Sequence, residues 1–352
     1  MDSRYFSLKI AEWYQLHRRS LPWRETKNAY YIWLSEIILQ QTRVNQGLPY
    51  YQKFIETFPT VFDLAKAPQQ KVLRLWQGLG YYTRARNLHK CAQVVVTKDY
   101  GKFPETFEEL KKLPGIGDYT AAAIASIVFG KQVAVVDGNV SRVLSRVYGI
   151  DTPINSPEGK KVFFELANKI IPAQNPDVHN QAMMEFGALH CTPQAPNCSD
   201  CIFATKCFAN KNSLQKSLPV KQQITKIRKR YFYYFAIQKG KSFLLKKRVE
   251  KDIWHGLYDF YLVEKKRSTG IEKIIAENDL LKKVKGKKIV KVTGVYKHVL
   301  THQVIYSRFT QISTGVTPVV NGSGLKLYSI RKVAELPKPV LISRFLSDSK
   351  LL

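Results

Sequence analysis

The chain has 352 residues, enough for two or three domains with cores of their own. Its composition is that of a globular protein, 45% hydrophobic and 12% aromatic, without a low-complexity tract. Lys and Arg outnumber Asp and Glu by 56 to 27; the resulting +29 points to a polyanionic partner, nucleic acid first, and says nothing of fold. The N-terminus has no apolar signal core, and no stretch approaches the length of a membrane span, so a soluble, intracellular protein without a membrane partner is expected.

In chain order, residues 3–18 read as a helix with Phe6, Ile10, Trp13 and Tyr14 on one side. Leu21-Pro22-Trp23-Arg24 breaks it, and Tyr30 to Thr42 forms a strongly apolar second helix. Shorter helices follow, separated by Pro59, Pro68, Gly78-Leu79-Gly80 and Pro104. Phe107 and Leu110 lead into Leu113-Pro114-Gly115-Ile116-Gly117, a sharp turn, then an apolar helix carrying Tyr119, Ala123 and Ile127. Two helices around this turn read as a helix-hairpin-helix, in which Gly115 and Gly117 would let the backbone approach a phosphate; the alternative is an ordinary helix connection. An extended run, Val133–Val136, ends at Asp137-Gly138-Asn139, where a helix with Val140, Val143, Leu144 and Val147 begins. Helices over 158–171 and 180–189 precede a cysteine loop.

A helical module is thus expected over residues 1–210. Residues 211–230 are basic, with no acidic residue, and read either as a connector lying on phosphates or as a solvated linker. From Tyr231 to residue 352, short alternating runs (YFYYFAI, SFLLKKR, GLYDFYLV, KIVKVTGVYK, QVIYSRFTQI) and one helix near Ile271–Lys283 predict a smaller α+β domain.

Three groups of residues carry chemistry. Glu36 sits within Ile32-Trp33-Leu34-Ser35-Glu36-Ile37-Ile38-Leu39, where burial would raise its pKa and suit a general acid; the alternative is a carboxylate on a narrow wet stripe. Asp137 is either an ordinary cap or an anion kept ionised at a helix start. One protonated and one ionised carboxyl would divide the labour of cleaving a glycosidic bond. Four of five cysteines follow Cys191-x6-Cys198-x2-Cys201-x5-Cys207, a metal site rather than a disulfide framework, open to zinc or to a 4Fe–4S cluster. Cys91 stands apart as a small buried residue.

Leu21–Arg24, WLSEIILQQTRV (33–44), GLGYYTRARNL (78–88), LPGIGDYTA (113–121), VDGNVSRV (136–143), NQAMMEFGALHCTP (180–193) and the cysteine loop together resemble the MutY-type adenine DNA glycosylases, relatives of endonuclease III in the helix-hairpin-helix superfamily. The resemblance implies a mainly α fold with a 4Fe–4S cluster on Cys191, Cys198, Cys201 and Cys207. It implies a monomer acting on double-stranded DNA with adenine opposite 8-oxoguanine or guanine. Glu36 then protonates the adenine ring and later helps activate water, Asp137 stabilises the sugar cation, and Asn139 and Tyr119 position and polarise that site. Gln41 and Tyr81 match residues that enter the base stack and face the oxidised guanine; Trp23, Arg24 and Gln181 fall where the extruded adenine is held. Tyr119 stands where bifunctional relatives carry a Lys nucleophile, and Ser141 where some adenine glycosylases carry Lys, so strand cleavage should be weak or absent.

The C-terminal part resembles the MutT-like (Nudix-fold) domain of the same family through Trp254-His255-Gly256-Leu257-Tyr258-Asp259-Phe260, without the metal-binding box of nucleotide hydrolases. Leu300, Thr301 and His302 fall where many members have Phe-Ser-His and would read the oxidised guanine. Rival readings are a related glycosylase for thymine mismatches or oxidised pyrimidines, against which Glu36 and the added C-terminal domain argue; a non-catalytic iron–sulfur or zinc DNA-binding protein, against which Glu36 and Asp137 argue; and a nucleotide pyrophosphatase, against which the missing box argues.

Overall fold

Several helices in this chain start where short polar side chains take up unpaired backbone N–H groups. Asp2 accepts from Tyr5 at 2.8 Å and opens α1 (Ser3–His17). Asn28 accepts from Tyr30 at 2.9 Å and opens α2 (Ala29–Leu39) after a 3-10 turn at Pro22–Arg24. Then come α3 (Val44–Thr57), α4 (Val61–Lys66), α5 (Gln69–Leu75) and α6 (Thr83–Asp99). α7 (Phe107–Leu110) and α8 (Asp118–Ile127) flank the hairpin turn; α9 (Gly138–Tyr148), α10 (Pro157–Ile170), α11 (Pro176–Leu189) and α12 (Phe208–Lys211) follow. The computed structural model describes residues 1–222, 227–318, 320 and 322–352. The chain divides into two units, residues 1–66 with 87–224 and residues 67–86 with 225–352. A boundary drawn at residue 210 does not anticipate that 67–86 group with the C-terminal part. Among the described residues no helix is long and apolar enough to cross a membrane.

Two helix limits differ from the expectation. α2 stops at Leu39 rather than Thr42: Gln40 leaves the helical region (ψ 117°) and Gln41 takes a left-handed conformation (φ 53°). α11 starts four residues before Asn180, at Pro176, whose ring is suited to a first helical position.

In the first unit, α1, α9, α10 and α11 pack around Phe6, Ile10, Trp13, Leu144, Phe163 and Phe186. Phe203 of the cysteine loop stacks on Phe6 at 4.7 Å between ring centroids, which ties that loop to the core. A separate cluster joins Ile32 of α2 to Ala122, Ala123 and Ile127 of α8 and to Val135. It sets α2 beside the segment that leads to Asp137. Gly115 has φ 79°, and a Cβ there would lie 2.6 Å from Cβ of Asn87, so the hairpin turn requires glycine twice over. Within the basic stretch 211–230, the carbonyls of Leu218 and Val220 accept from Arg146 Nε and the Ile154 N–H, each at 3.0 Å. Residues 223–226 of that stretch lie outside the described residues, and Arg228–Arg230 already belong to a strand.

In the second unit, β1 (Arg228–Lys239), β2 (Ser242–Lys247), β3 (Tyr258–Asp259), β4 (Tyr261–Lys265), β5 (Lys288–Val292), β6 (Tyr296–Leu300), β7 (Gln303–Ser313) and β8 (Lys326–Ser329) form one sheet. Its order is β3-β2-β1-β7-β5, with β4 on β1, β6 on β7 and β8 on β2. β1 and β7 run parallel from Arg228↔Gln303 to Gln238↔Ser313; the other pairs are antiparallel. Alternation along β1 sends Tyr233, Phe235 and Ile237 towards α13 (Ile271–Glu277) and α14 (Asp279–Lys283). Tyr234 faces the other way and stacks on Phe309 at 4.9 Å, which stacks on Phe345 at 4.4 Å. The single helix expected near 271–283 is two, because Asn278 accepts from the Leu281 N–H and restarts the helix there. α15 (Ile330–Glu335) and α16 (Val340–Asp348), like the four-residue β8, were not foreseen; α15 and β8 are too short to show a period.

Candidate active site

A cavity of about 630 Å³ in the first unit is lined by Trp23, Arg24, Glu36, Tyr119, Asp137, Asn139 and Gln181. Residues from four helices and two turns, 158 positions apart at the extremes (181 − 23), therefore meet in one place. Among the described residues the lining contains no lysine.

Glu36 is 7% exposed. Burial pushes its carboxyl up to about 7; a hydrogen bond from Tyr119 opposes the shift, the negative charge of Asp137 adds to it, and Arg24 opposes it. The Tyr119 hydroxyl also lies 3.4 Å from Met184 Sδ. Burial, then the charges of Glu36 and Asp137, hold the Tyr119 phenol well above its usual range, so it stays a donor.

Asp137 caps α9. Its Oδ1 accepts from the N–H groups of Asn139 (2.8 Å) and Val140 (2.7 Å), and Oδ2 accepts from Asn139 Nδ2 (2.8 Å). The extended approach to Asp137 is pinned from behind. Asn168 Oδ1 accepts from the Ala134 N–H and Asn180 Oδ1 from the Val135 N–H, both at 2.9 Å, while Asn180 Nδ2 donates to Val133 O and Ser126 Oγ. The expectation of a low Asp137 pKa is corrected: the pKa is raised, because burial outweighs the bonds from Val140 and Asn139 and the charge of Arg142. Ser141 Oγ donates to Asp137 O at 2.8 Å. Gly187 on α11 has to be small here, since a Cβ would stand 2.7 Å from Cβ of Asn139.

The residues expected to border the base are themselves held. Arg24 gives both Nη groups to Glu185, at 2.9 Å each, and Gln181 Oε1 accepts from the Tyr14 hydroxyl at 3.2 Å. Trp23 meets Tyr51 edge-on at 5.1 Å. Gln41 is exposed in the turn after α2, next to the cavity residues Thr42 and Arg43, and does not line the cavity itself. Gly115 and Gly117 are also exposed, with nothing near Gly117 to meet an added Cβ.

In the second unit, Tyr81, Leu300, Thr301 and His302 line a separate cavity of about 240 Å³ beside Trp254 and Arg86. The hydroxyls of Tyr81 and Thr301 are hydrogen-bonded at 2.6 Å, and Tyr81 takes a left-handed φ of 46°. Thr301 and His302 are exposed in the turn between β6 and β7.

Cys191, Cys198, Cys201 and Cys207 are free thiols lining one small cavity, and Cys91 is buried elsewhere. Arg146 Nη1 donates to Cys191 Sγ and the Phe203 N–H to Cys201 Sγ, both at 3.4 Å. Donors aimed at sulfur suit thiolates that carry negative charge. Among the described residues, no group of three or more His, Cys, Asp or Glu side chains is arranged as a ready site for a single metal ion.

Residues 34–172 match the family of HhH-GPD superfamily base excision DNA repair proteins, and residues 233–348 match the NUDIX domain. The adenine DNA glycosylase of Buchnera aphidicola subsp. Baizongia pistaciae (strain Bp) is 36% identical over 312 residues, which cover 87% of this chain and 85% of that protein. The chain belongs to the adenine DNA glycosylase family. The human adenine DNA glycosylase is 42% identical over 222 residues, covering 60% of this chain and 41% of that longer protein. A thermostable thymine-DNA glycosylase superposes with a TM-score of 0.56 at 30% identity, covering 60% of this chain and 97% of the other. Endonuclease III in a non-covalent DNA complex shares the fold, with a TM-score of 0.53 at 24% identity over 61% of this chain and 100% of the other.

Three site residues of this member of the adenine DNA glycosylase family went unmarked in the sequence. Glu185 stands in an apolar helix, the same signal that singled out Glu36. Arg142 and Arg146 lie among Val140, Val143, Leu144 and Val147, where buried guanidinium groups need partners. Arg142 Nη2 donates to Asn139 Oδ1 at 2.9 Å and its Nε to Cys191 O at 2.8 Å, so one side chain joins the Asp137 cap to the cysteine loop.

The raised Glu36 pKa has a stability consequence of definite sign. A carboxyl at about 7 in the fold against 4.5 unfolded keeps its stability contribution below pH 4.5 and loses it as pH rises through 7. Glu36→Gln removes that loss, so the variant is expected to exceed the parent by about 3 kcal/mol at pH 8.5 and by less than about 1 kcal/mol at pH 5. Urea unfolding at the two pH values checks this; an equal difference at both would mean that the carboxyl is not buried in the fold.

Proposed function

We propose that the chain removes adenine mispaired with 8-oxoguanine, or with guanine, from double-stranded DNA, by hydrolysing the N-glycosidic bond in base-excision repair. The observation that carries this reading is one cavity holding a carboxyl poised near neutrality, Glu36, beside a second, Asp137, whose oxygens are occupied by N–H donors. Adenine is reached only after leaving the stack, and a mispair lowers that cost. Trp23, Arg24 and Gln181 then border the extruded base.

In the reaction, Glu36 gives its proton to a ring nitrogen of adenine. The glycosidic bond breaks with its electron pair going to the base, and the sugar becomes an oxocarbenium-like cation. Asp137 faces that cation, held at a fixed angle by Asn139, while the Tyr119 hydroxyl donates to the ionised Glu36. Glu36 then takes a proton from the water that adds to the sugar carbon, which returns it to its starting form. With no lysine in the lining there is no amine for a Schiff base, so the enzyme is monofunctional.

The other assignments are proposals on the same footing. Gly115 and Gly117 bring the hairpin backbone to a phosphate. Gln41 enters the stack, and Tyr81, Leu300, Thr301 and His302 face the base opposite adenine. The glycosylase module lies in residues 1–210, the basic stretch 211–230 joins it to the lesion reader, 231–352, and the protein works as a monomer. Cys191, Cys198, Cys201 and Cys207 hold a 4Fe–4S cluster, whose contribution is to shape the loop against the DNA backbone rather than to perform redox chemistry on the substrate.

Three measurements test this. Single-turnover release from a duplex with adenine opposite 8-oxoguanine should fall by roughly 10²-fold or more in Glu36→Gln, and in Asp137→Asn, with duplex binding kept; near-parental rates would remove that residue from the mechanism. Protein purified without oxygen should contain about four irons per chain, and stoichiometric zinc without iron would refute the cluster. Thr301→Ala combined with His302→Ala should lower the preference for 8-oxoguanine over guanine opposite adenine by roughly 1–3 kcal/mol, read as the ratio of the two release rates. An unchanged ratio would assign lesion reading to the first unit.

A further inference from the structure

Glu185 is the most completely satisfied carboxylate near the cavity, and the reaction above does not use it. Its side chain is 1% exposed. It accepts from Arg19 through the backbone N–H (3.0 Å), Nε (2.8 Å) and Nη2 (2.5 Å), and from Arg24 through Nη1 and Nη2 at 2.9 Å each. Arg24 Nη1 also donates to the Arg19 carbonyl at 3.0 Å, which closes the cluster. Two guanidinium groups and one carboxylate leave a net charge of +1 beside the cavity.

We propose that Glu185 is a positioning residue that neutralises one of the two guanidinium charges behind the cavity, so that Arg24 can border the base without drawing Glu36 into its ionised form. The inference rests on the reading of Glu36 as the acid. Arg24 and Glu36 line the same cavity, and the Arg24 charge acts against the protonated form of Glu36. A lone arginine so placed would undo what burial does for Glu36, because an opposite charge nearby stabilises a carboxylate. Glu185 has to stay ionised for this. Burial raises its pKa, but the bonds from Arg19 and Arg24 more than offset that and hold it at about 2. The other charged or titratable groups that act on Glu36 are Tyr119 from α8 and Asp137 at the start of α9, and Arg43, in the turn after α2, lines the same cavity. Around Arg24 and Glu185 stands the Tyr14 phenol of α1, with Arg18 and Glu25 beyond it. None of these supplies a second anion in contact with Arg24.

The test is charge compensation. Glutamate-labelled protein is titrated by carbon-13 NMR of its carboxyl groups, with E36Q used to assign the Glu36 signal, and the pH profile of single-turnover adenine release is recorded alongside. In the parent, Glu36 should titrate at about 7. In E185Q its midpoint should move down by roughly one pH unit, with release at alkaline pH falling about tenfold. R19Q alone should move it up, and E185Q combined with R19Q, which restores the net charge, should return it towards the parent value. A Glu36 midpoint that stays put in E185Q, or a double variant that is no closer to the parent than E185Q, overturns the proposal, since a purely structural role predicts additive damage. If E185Q does not fold, the upward shift in R19Q is required in its place, and its absence is equally decisive. Normal shifts in a protein that releases no adenine would leave the charge clamp standing and overturn the proposed function instead.

Discussion

The constraint on which the site depends is the capping of α9 by Asp137. A helix start leaves N–H groups unpaired, and here one side chain takes two of them while Asn139 holds its other oxygen. The cap can sit at the cavity only because the preceding extended segment, which has no sheet partner, finds its hydrogen bonds on Asn168 and Asn180. The same helix carries Arg142 and Arg146 towards the cysteine loop. One short stretch of chain thus sets the carboxylate, the far wall of its cavity and the loop of four thiols.

Electrostatics in this protein works at two ranges. Over the whole molecule, +29 is a field that favours any polyanion and is screened within about 10 Å at ordinary salt. Inside the cavity the balance is local and nearly closed. Glu36 is raised by burial, Asp137 is raised less than its burial alone would do, and Glu185 is lowered by two arginines. Three carboxyls lining one cavity have three environments, set by burial and by which groups donate to each.

The second unit matches the NUDIX domain over residues 233–348, and its sequence lacks the acidic box of nucleotide hydrolases. The parallel β1–β7 pair, eleven residues long, is the longest pairing of the sheet among the described residues. The β6–β7 turn that projects Thr301 and His302 grows directly from its edge. Arg230 pairs with the partly exposed Asp252 and Glu264, and Arg248 forms a buried pair with Asp259. The buried pair adds little net stability but would be costly to break singly.

What local chemistry decides was legible in the sequence. Proline and glycine breaks and apolar periods placed most of the helices and strands within a few residues, and the cysteine spacing, Glu36 and Asp137 could be singled out, because each is a property of neighbours along the chain. Three things were decided only in the folded molecule. Glu185 became an anion clamp because Arg19 and Arg24, more than 160 residues earlier, fold against it. Asp137 shifted upward because the depth of a pocket is a sum over distant segments, which a capping motif does not encode. Residues 67–86 joined the C-terminal unit, bringing Tyr81 to Thr301, because compactness is measured in space and not along the chain.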